Sequence, residues 1–119
     1  MKKFICISFV FLMLLSCDKE NATVKVRYEA SKAYADTEIS YRDGDGQLVK
    51  EWVTFESGED TWRFDMDLKK GDIVYISAMY QDTASSVKLR ILIDGKVYKE
   101  GTSINEPEKY LIVSGTVPY

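Results

Sequence analysis

The sequence predicts an all-β domain, a sandwich of about seven to eight short antiparallel strands, and three observations carry that prediction. Apolar and polar residues alternate with period two along most of the chain from Thr23 onward. Turn residues recur every eight to twelve positions, as in sandwiches and barrels. No segment sustains the 3.6-residue periodicity of an amphipathic helix. At 119 residues the chain has room for one small domain. A closed, ligand-holding barrel usually needs more residues per strand than this chain offers.

The strands follow in order. Val24, Val26 and Tyr28 alternate with Lys25, Arg27 and Glu29, the signature of a half-buried strand. Ile39 and Tyr41 alternate with Glu38, Ser40 and Arg42 in a second. Asp43-Gly44-Asp45-Gly46 then marks a hairpin, because primed turns need positive φ. Gln47–Phe55 is the third strand, less clean, with Val49, Glu51, Val53 and Phe55 on one face and Leu48, Trp52 and Thr54 on or near the other. Ser57–Asp60 turns the chain into Trp62, Phe64, Met66 and Leu68, which alternate with Arg63, Asp65 and Asp67. After Lys69–Asp72, the run Ile73–Tyr80 is apolar at nearly every position, which predicts a central strand covered on both faces. Gln81–Ser86 is a polar loop, Val87–Ile93 a strand, and Asp94-Gly95 a tight hairpin into Lys96–Glu100. Gly101–Lys109 is expected to be a loop, and Tyr110–Val117 the last strand.

Ahead of the strands lies an address. Lys2 and Lys3 precede an apolar run from Phe4 to Leu15, too short to cross a bilayer core and the right length for a secretory h-region. It ends in Leu14-Leu15-Ser16-Cys17, which resembles a bacterial lipobox. The expected organisation is therefore a signal peptide over 1–16, a lipidated Cys17 with a tether over 17–22, and the sandwich over 23–119. Several acyl chains on Cys17 would hold the protein on a membrane, where a single chain would be marginal. Asp18-Lys19-Glu20 resembles in part the surface-export signals of Bacteroidetes lipoproteins, and reads equally as a solvated tether. Cys6 leaves with the signal and Cys17 carries lipid, so the domain must hold without a disulfide. The expected location is the cell envelope, lipid-anchored, at the outer membrane, with the membrane face left open.

Composition narrows the function. Histidine is absent, which removes Ser/His and Cys/His machinery and imidazole-ligated metals. The formal charge is −3, becoming −5 once Lys2 and Lys3 are removed with the signal, and an acidic chain is a poor partner for nucleic acid. The Asp43–Gln47 stretch looks superficially like a calcium loop, but Leu48 stands where that loop needs glycine and Thr54 where it needs a bidentate acid. Asp65 and Asp67 form a carboxylate pair on one strand face, which in a half-buried strand is ordinarily a solvated face. The readings are no enzyme, no cofactor and no metal. Among the aromatics, Trp62 is expected in the core, whereas Trp52 and Tyr34 are the candidates for an exposed ligand-binding surface, able to stack on sugar faces or anchor a partner. Asp82-Thr83-Ala84 resembles the O-glycosylation motif of Bacteroidetes, with Thr83 as acceptor. Asn21-Ala22-Thr23 fits an N-glycosylation acceptor, which means little in a bacterial lipoprotein.

Three stretches taken together, Ile39–Gly46, Lys70–Ala78 and Val87–Val97, resemble the MmpS family and its Bacteroidetes lipoprotein relatives across residues 24–117. The Lys70-Gly71-Asp72 strand entry followed by the Ile93-Asp94-Gly95-Lys96 hairpin carries most of the likeness. The resemblance implies an immunoglobulin-like sandwich, membrane-tethered and non-enzymatic, with an RND-type exporter as partner. The sequence departs from that pattern in using a lipobox in place of a transmembrane helix, and in Asp60-Thr61-Trp62 and Met79-Tyr80. Two functions remain open: an accessory or interaction module for an envelope transporter or other protein, and a surface glycan- or ligand-binding lipoprotein using exposed aromatics.

Overall fold

The computed structural model describes residues 22–118. Eight strands form, and no described residue is helical: β1 Thr23–Ser31, β2 Thr37–Arg42, β3 Leu48–Val53, β4 Thr61–Lys69, β5 Ile73–Tyr80, β6 Ser86–Ile93, β7 Lys96–Ile104 and β8 Leu111–Thr116. They make two four-stranded antiparallel sheets, ordered β4-β1-β6-β7 and β3-β2-β5-β8, called here the first and second sheets. The fold is an all-β sandwich. The signal peptide, Cys17, most of the tether and Asn21 lie outside the described residues.

In the immunoglobulin arrangement strand B pairs with E, and C, F and G share the facing sheet. The pairs β1–β4, β2–β5 and β5–β8 reproduce B–E, C–F and F–G, with β3 in the place of C′. The β6–β7 hairpin departs from that order. It is inserted between the F and G equivalents and takes the position beside β1 that strand A would hold.

The core lies between the sheets and is built from the predicted apolar faces. Val26, Tyr28 and Ala30 of β1 and Val87, Leu89 and Ile91 of β6 meet Ile39 and Tyr41 of β2 and Val74, Ile76, Ala78 and Tyr80 of β5. Tyr28, Tyr41, Trp62 and Phe64 form an aromatic cluster, with the Tyr41 and Phe64 centroids 4.6 Å apart. Tyr28 also ties the sheets together: its hydroxyl donates to the Arg42 carbonyl at 2.8 Å and accepts from the Tyr75 N–H at 3.1 Å. Trp62 reaches the sandwich edge, packing half-buried on the core while its indole N–H donates to Glu51 Oε1 at 2.7 Å. The Asp94-Gly95 turn is the predicted hairpin, with φ of 51° and 81° at its two central residues.

Two expectations fail for physical reasons. The stretch from Gly101 to Ile104 continues β7 and is not loop, because it pairs in register with Leu89 to Ser86 of β6; a side chain at Gly101 would meet Leu111 and Val113 at 3.2 Å. β5 is central in its sheet, but its outer face has no third layer among the described residues, and Ile73 is 51% exposed. On that face Ser77 is buried and Tyr75 and Met79 are half-buried.

Candidate functional site

Chain direction sorts the loops. Antiparallel strands alternate direction, so successive connections fall at opposite ends of the sandwich. Thr23 opposes Lys69 at the end of β4, and the same end holds the 43–47 turn, the 70–72 turn and Asp94-Gly95. The 32–36, 54–60, 81–85 and 105–110 connections gather at the other end, beyond Ser31. β1 spans 9 residues, which separates the two ends by roughly 30 Å.

At this distal end Tyr34, Ala35, Asp36, Trp52, Phe55, Gln81 and Asp82 line an open groove of about 640 Å³. The two aromatics proposed from sequence are thus brought together, Tyr34 at 60% and Trp52 at 53% exposure. Trp52 stands near the end of β3, and the loop that carries Tyr34 and the one that follows β3 are pinned from beneath. Ala33 and Phe55 are buried, and buried Ser85 accepts the Tyr34 N–H on its hydroxyl at 3.1 Å. The Ser86 hydroxyl donates to the Lys32 carbonyl, and Asn105 N–H to the Ser85 carbonyl at 3.1 Å. In the 54–60 loop Asp60 Oδ2 accepts the N–H groups of Glu56 and Ser57 at 2.8 and 3.1 Å. Gly58 lies against the Tyr34 ring so closely that an added Cβ would fall 2.5 Å from it. The groove is therefore a formed surface and needs little ordering to bind.

Trp52 also belongs to the outer face of the second sheet. Across the strands it opposes Glu38, which in turn opposes Met79. Glu38 is only 8% exposed although it points outward, because Trp52, Lys50, Met79 and Tyr110 crowd around it. Its carboxylate lies 3.3 Å from the Lys50 ammonium and 3.4 Å from the Tyr110 hydroxyl. Leu48, Ile73, Tyr110 and Ile112 leave further apolar surface exposed on and beside this sheet.

The remaining candidates fall apart from the groove or resolve into structure. Thr83 is exposed at the tip of the 82–85 turn, at the groove rim, where Asp82 Oδ1 accepts the Ala84 N–H at 2.8 Å. Asp43 Oδ1 is engaged by the N–H groups of Asp45 and Gln47, both at 2.9 Å, so the loop that resembles a calcium site is closed by its own backbone. Asp65 sits 2.6 Å from the Arg27 guanidinium, and Asp67 3.9 Å from the Lys25 ammonium. The hydrogen bond from Arg27 holds the Asp65 carboxyl below the usual carboxylate range, the opposite of what a general acid needs. A second cleft of about 450 Å³ beside these residues is lined by the same paired charges together with Val26, Met66, Leu92 and Gly95. Among the described residues no group of His, Cys, Asp and Glu side chains is arranged to hold a metal ion.

No protein-family model matches the chain, and no curated protein matches it. Asp36, Phe55 and Gln81 were not singled out from sequence. Counting connections would have found them: the first, third, fifth and seventh must share one end of an antiparallel sandwich.

Proposed function

We propose that this protein is a lipid-anchored, non-enzymatic interaction module of the cell envelope that presents its binding surface at the end of the sandwich away from the anchor. One observation carries the reading: the groove holding Trp52 and Tyr34 lies at the opposite end from Thr23, where the tether enters. The lipobox sequence around Cys17 supports the anchor, and an outer-membrane location goes with it. Exposed aromatics on a preformed surface are what a contact site for another protein requires. The resemblance of the strand motifs to the MmpS family makes an RND-type exporter the first partner to look for. Affinity capture from detergent-solubilised envelopes tests this. A membrane protein should co-purify with the wild type and be lost with Trp52→Ala, and recovery of nothing above background counts against it.

The second reading, a surface glycan-binding lipoprotein, draws on the same groove, where Asp36, Gln81 and Asp82 supply hydrogen-bonding groups beside the two aromatic rings. A glycan array separates the two. Binding that is abolished by Trp52→Ala favours the glycan, and silence across the array favours the protein partner.

A further inference from the structure

The charge of the distal end says what the groove takes. The four connections there carry seven carboxylates against Lys32 and Lys109, a net of −5. Two of them, Asp36 and Asp82, stand in the groove wall, and no basic residue lines it. Glu56, Glu59, Asp60, Glu106 and Glu108 are exposed on the other two connections at this end. Among the described residues none of the seven lies within ion-pair distance of a cation, whereas Glu29, Asp65, Asp67 and Glu100 on the first sheet are all paired. The end near Thr23 is different. There Asp43, Asp45, Asp72 and Asp94 are interspersed with Lys69, Lys70 and Lys96. The negative field is therefore concentrated around the aromatic groove and left for a partner to neutralise.

We infer that the distal groove binds an arginine-bearing polypeptide segment, one guanidinium lying between Trp52 and Tyr34 while flanking basic residues meet the surrounding carboxylates. The inference rests on the interaction-module reading and gives that partner its chemistry. A planar guanidinium stacks on aromatic faces and pairs in bidentate fashion with carboxylates, and this groove holds both kinds of group. The acidic surface also extends over four loops, wider than a single ammonium ion would need. Charges at such a rim act mainly on association rate and salt dependence, with the aromatic anchor setting the lifetime.

The test is isothermal titration of the purified full chain, in non-ionic detergent, with a tetra-arginine amide peptide, and with a tetra-glutamine amide as control. Saturable binding of the arginine peptide alone is expected, weakening as salt rises. Trp52→Ala should weaken it by about tenfold, and Asp36→Asn with Asp82→Asn should weaken it and flatten the salt dependence. The same charge change at the other end, Asp45→Asn with Asp94→Asn, should leave it within about twofold. Equal losses from the two double variants, an unaffected Trp52→Ala, or no saturable binding would each overturn the inference. Capture of an envelope protein that depends on Trp52, without arginine-peptide binding, would overturn it too while leaving the interaction-module reading standing.

Discussion

The two outer faces of the sandwich come from the same period-two pattern and yet are different surfaces. On the first sheet, Lys25, Arg27, Glu29, Arg63, Asp65 and Asp67 alternate in sign across paired strands and neutralise one another at 2.6–3.9 Å. On the second, Trp52, Tyr75, Met79 and Ile112 point outward, and one carboxylate, Glu38, is nearly enclosed by Trp52, Lys50, Met79 and Tyr110. On the first face the charges are paired and solvated. The second exposes apolar surface that the chain itself does not cover, and its distal corner opens into the Trp52–Tyr34 groove. Alternation determines that a strand has two faces; the composition of the outward one decides whether the sheet presents paired charges or bare apolar surface.

The sharpest break of this comparison is within one strand. Ile76 and Ile73 are on opposite faces of β5, one fully buried and the other half-exposed. Ile76→Ala should cost about 2–5 kcal/mol, read from the urea midpoint, and Ile73→Ala about 0.5 kcal/mol or less. Similar losses at both positions would mean that the outer face is covered after all. Next comes the tie between the sheets. Tyr28→Phe strands the Arg42 carbonyl and the Tyr75 N–H, and should cost about 2–3 kcal/mol in the same assay. Burial raises the Tyr28 phenol above its ordinary range, so its neutral form contributes stability that is intact below about pH 10 and lost as pH rises beyond it. The variant should show a shallower alkaline loss.

A smaller effect separates the carboxylates of the two faces. Lys50→Ala leaves Glu38 buried without its cation and should cost about 1 kcal/mol, while Glu38→Val, which removes the buried charge, should cost less. The smallest effect belongs to the first sheet. Arg27→Ala should barely move the thermal midpoint at neutral pH, because exposed pairs are screened by water and salt. Its signature is in acid. The depressed Asp65 carboxyl contributes stability above its unfolded value near pH 4 that is lost as pH falls through its lower folded value, and Arg27→Ala should remove that slope. A large neutral-pH loss would show that the ladder is structural and not merely solvated.

A further measurement sharpens the groove itself. Gly58→Ala places a methyl group against the Tyr34 ring, whose exposed end can swing away. Stability should stay within about 0.5 kcal/mol while the surface presented beside Trp52 changes. An altered Trp52-dependent binding with an unchanged urea midpoint is the expected pair of results.

Most of the strands were legible because their signals are local. Val26, Tyr28, Leu89 and Ile91 alternate with charges, and Asp94-Gly95 can make only a tight turn with positive φ. Where reading failed, a neighbour distant in sequence decided. Gly101 reads as a loop starter until its pairing with Leu89 carries β7 on to Ile104. Ile73–Tyr80 reads as buried on both sides because apolarity along a strand does not say whether a layer or only flanking side chains cover its second face. Glu38 reads as a solvated residue until Trp52 and Tyr110 close around it. For the site, Trp52 and Tyr34 were legible as aromatics without a clear inward place, but their meeting was not.

By itself the sequence determined an all-β sandwich, the strand faces, the hairpin turns and the absence of histidine chemistry, because period and turn geometry act over a few residues. Only the tertiary structure decided that β6–β7 fills the edge beside β1, that one outer face is paired and the other apolar, and that Tyr34, Trp52 and Asp82 share a groove. Those facts depend on which strands pair and at which end each connection lies, and pairing is set by contacts between residues tens of positions apart.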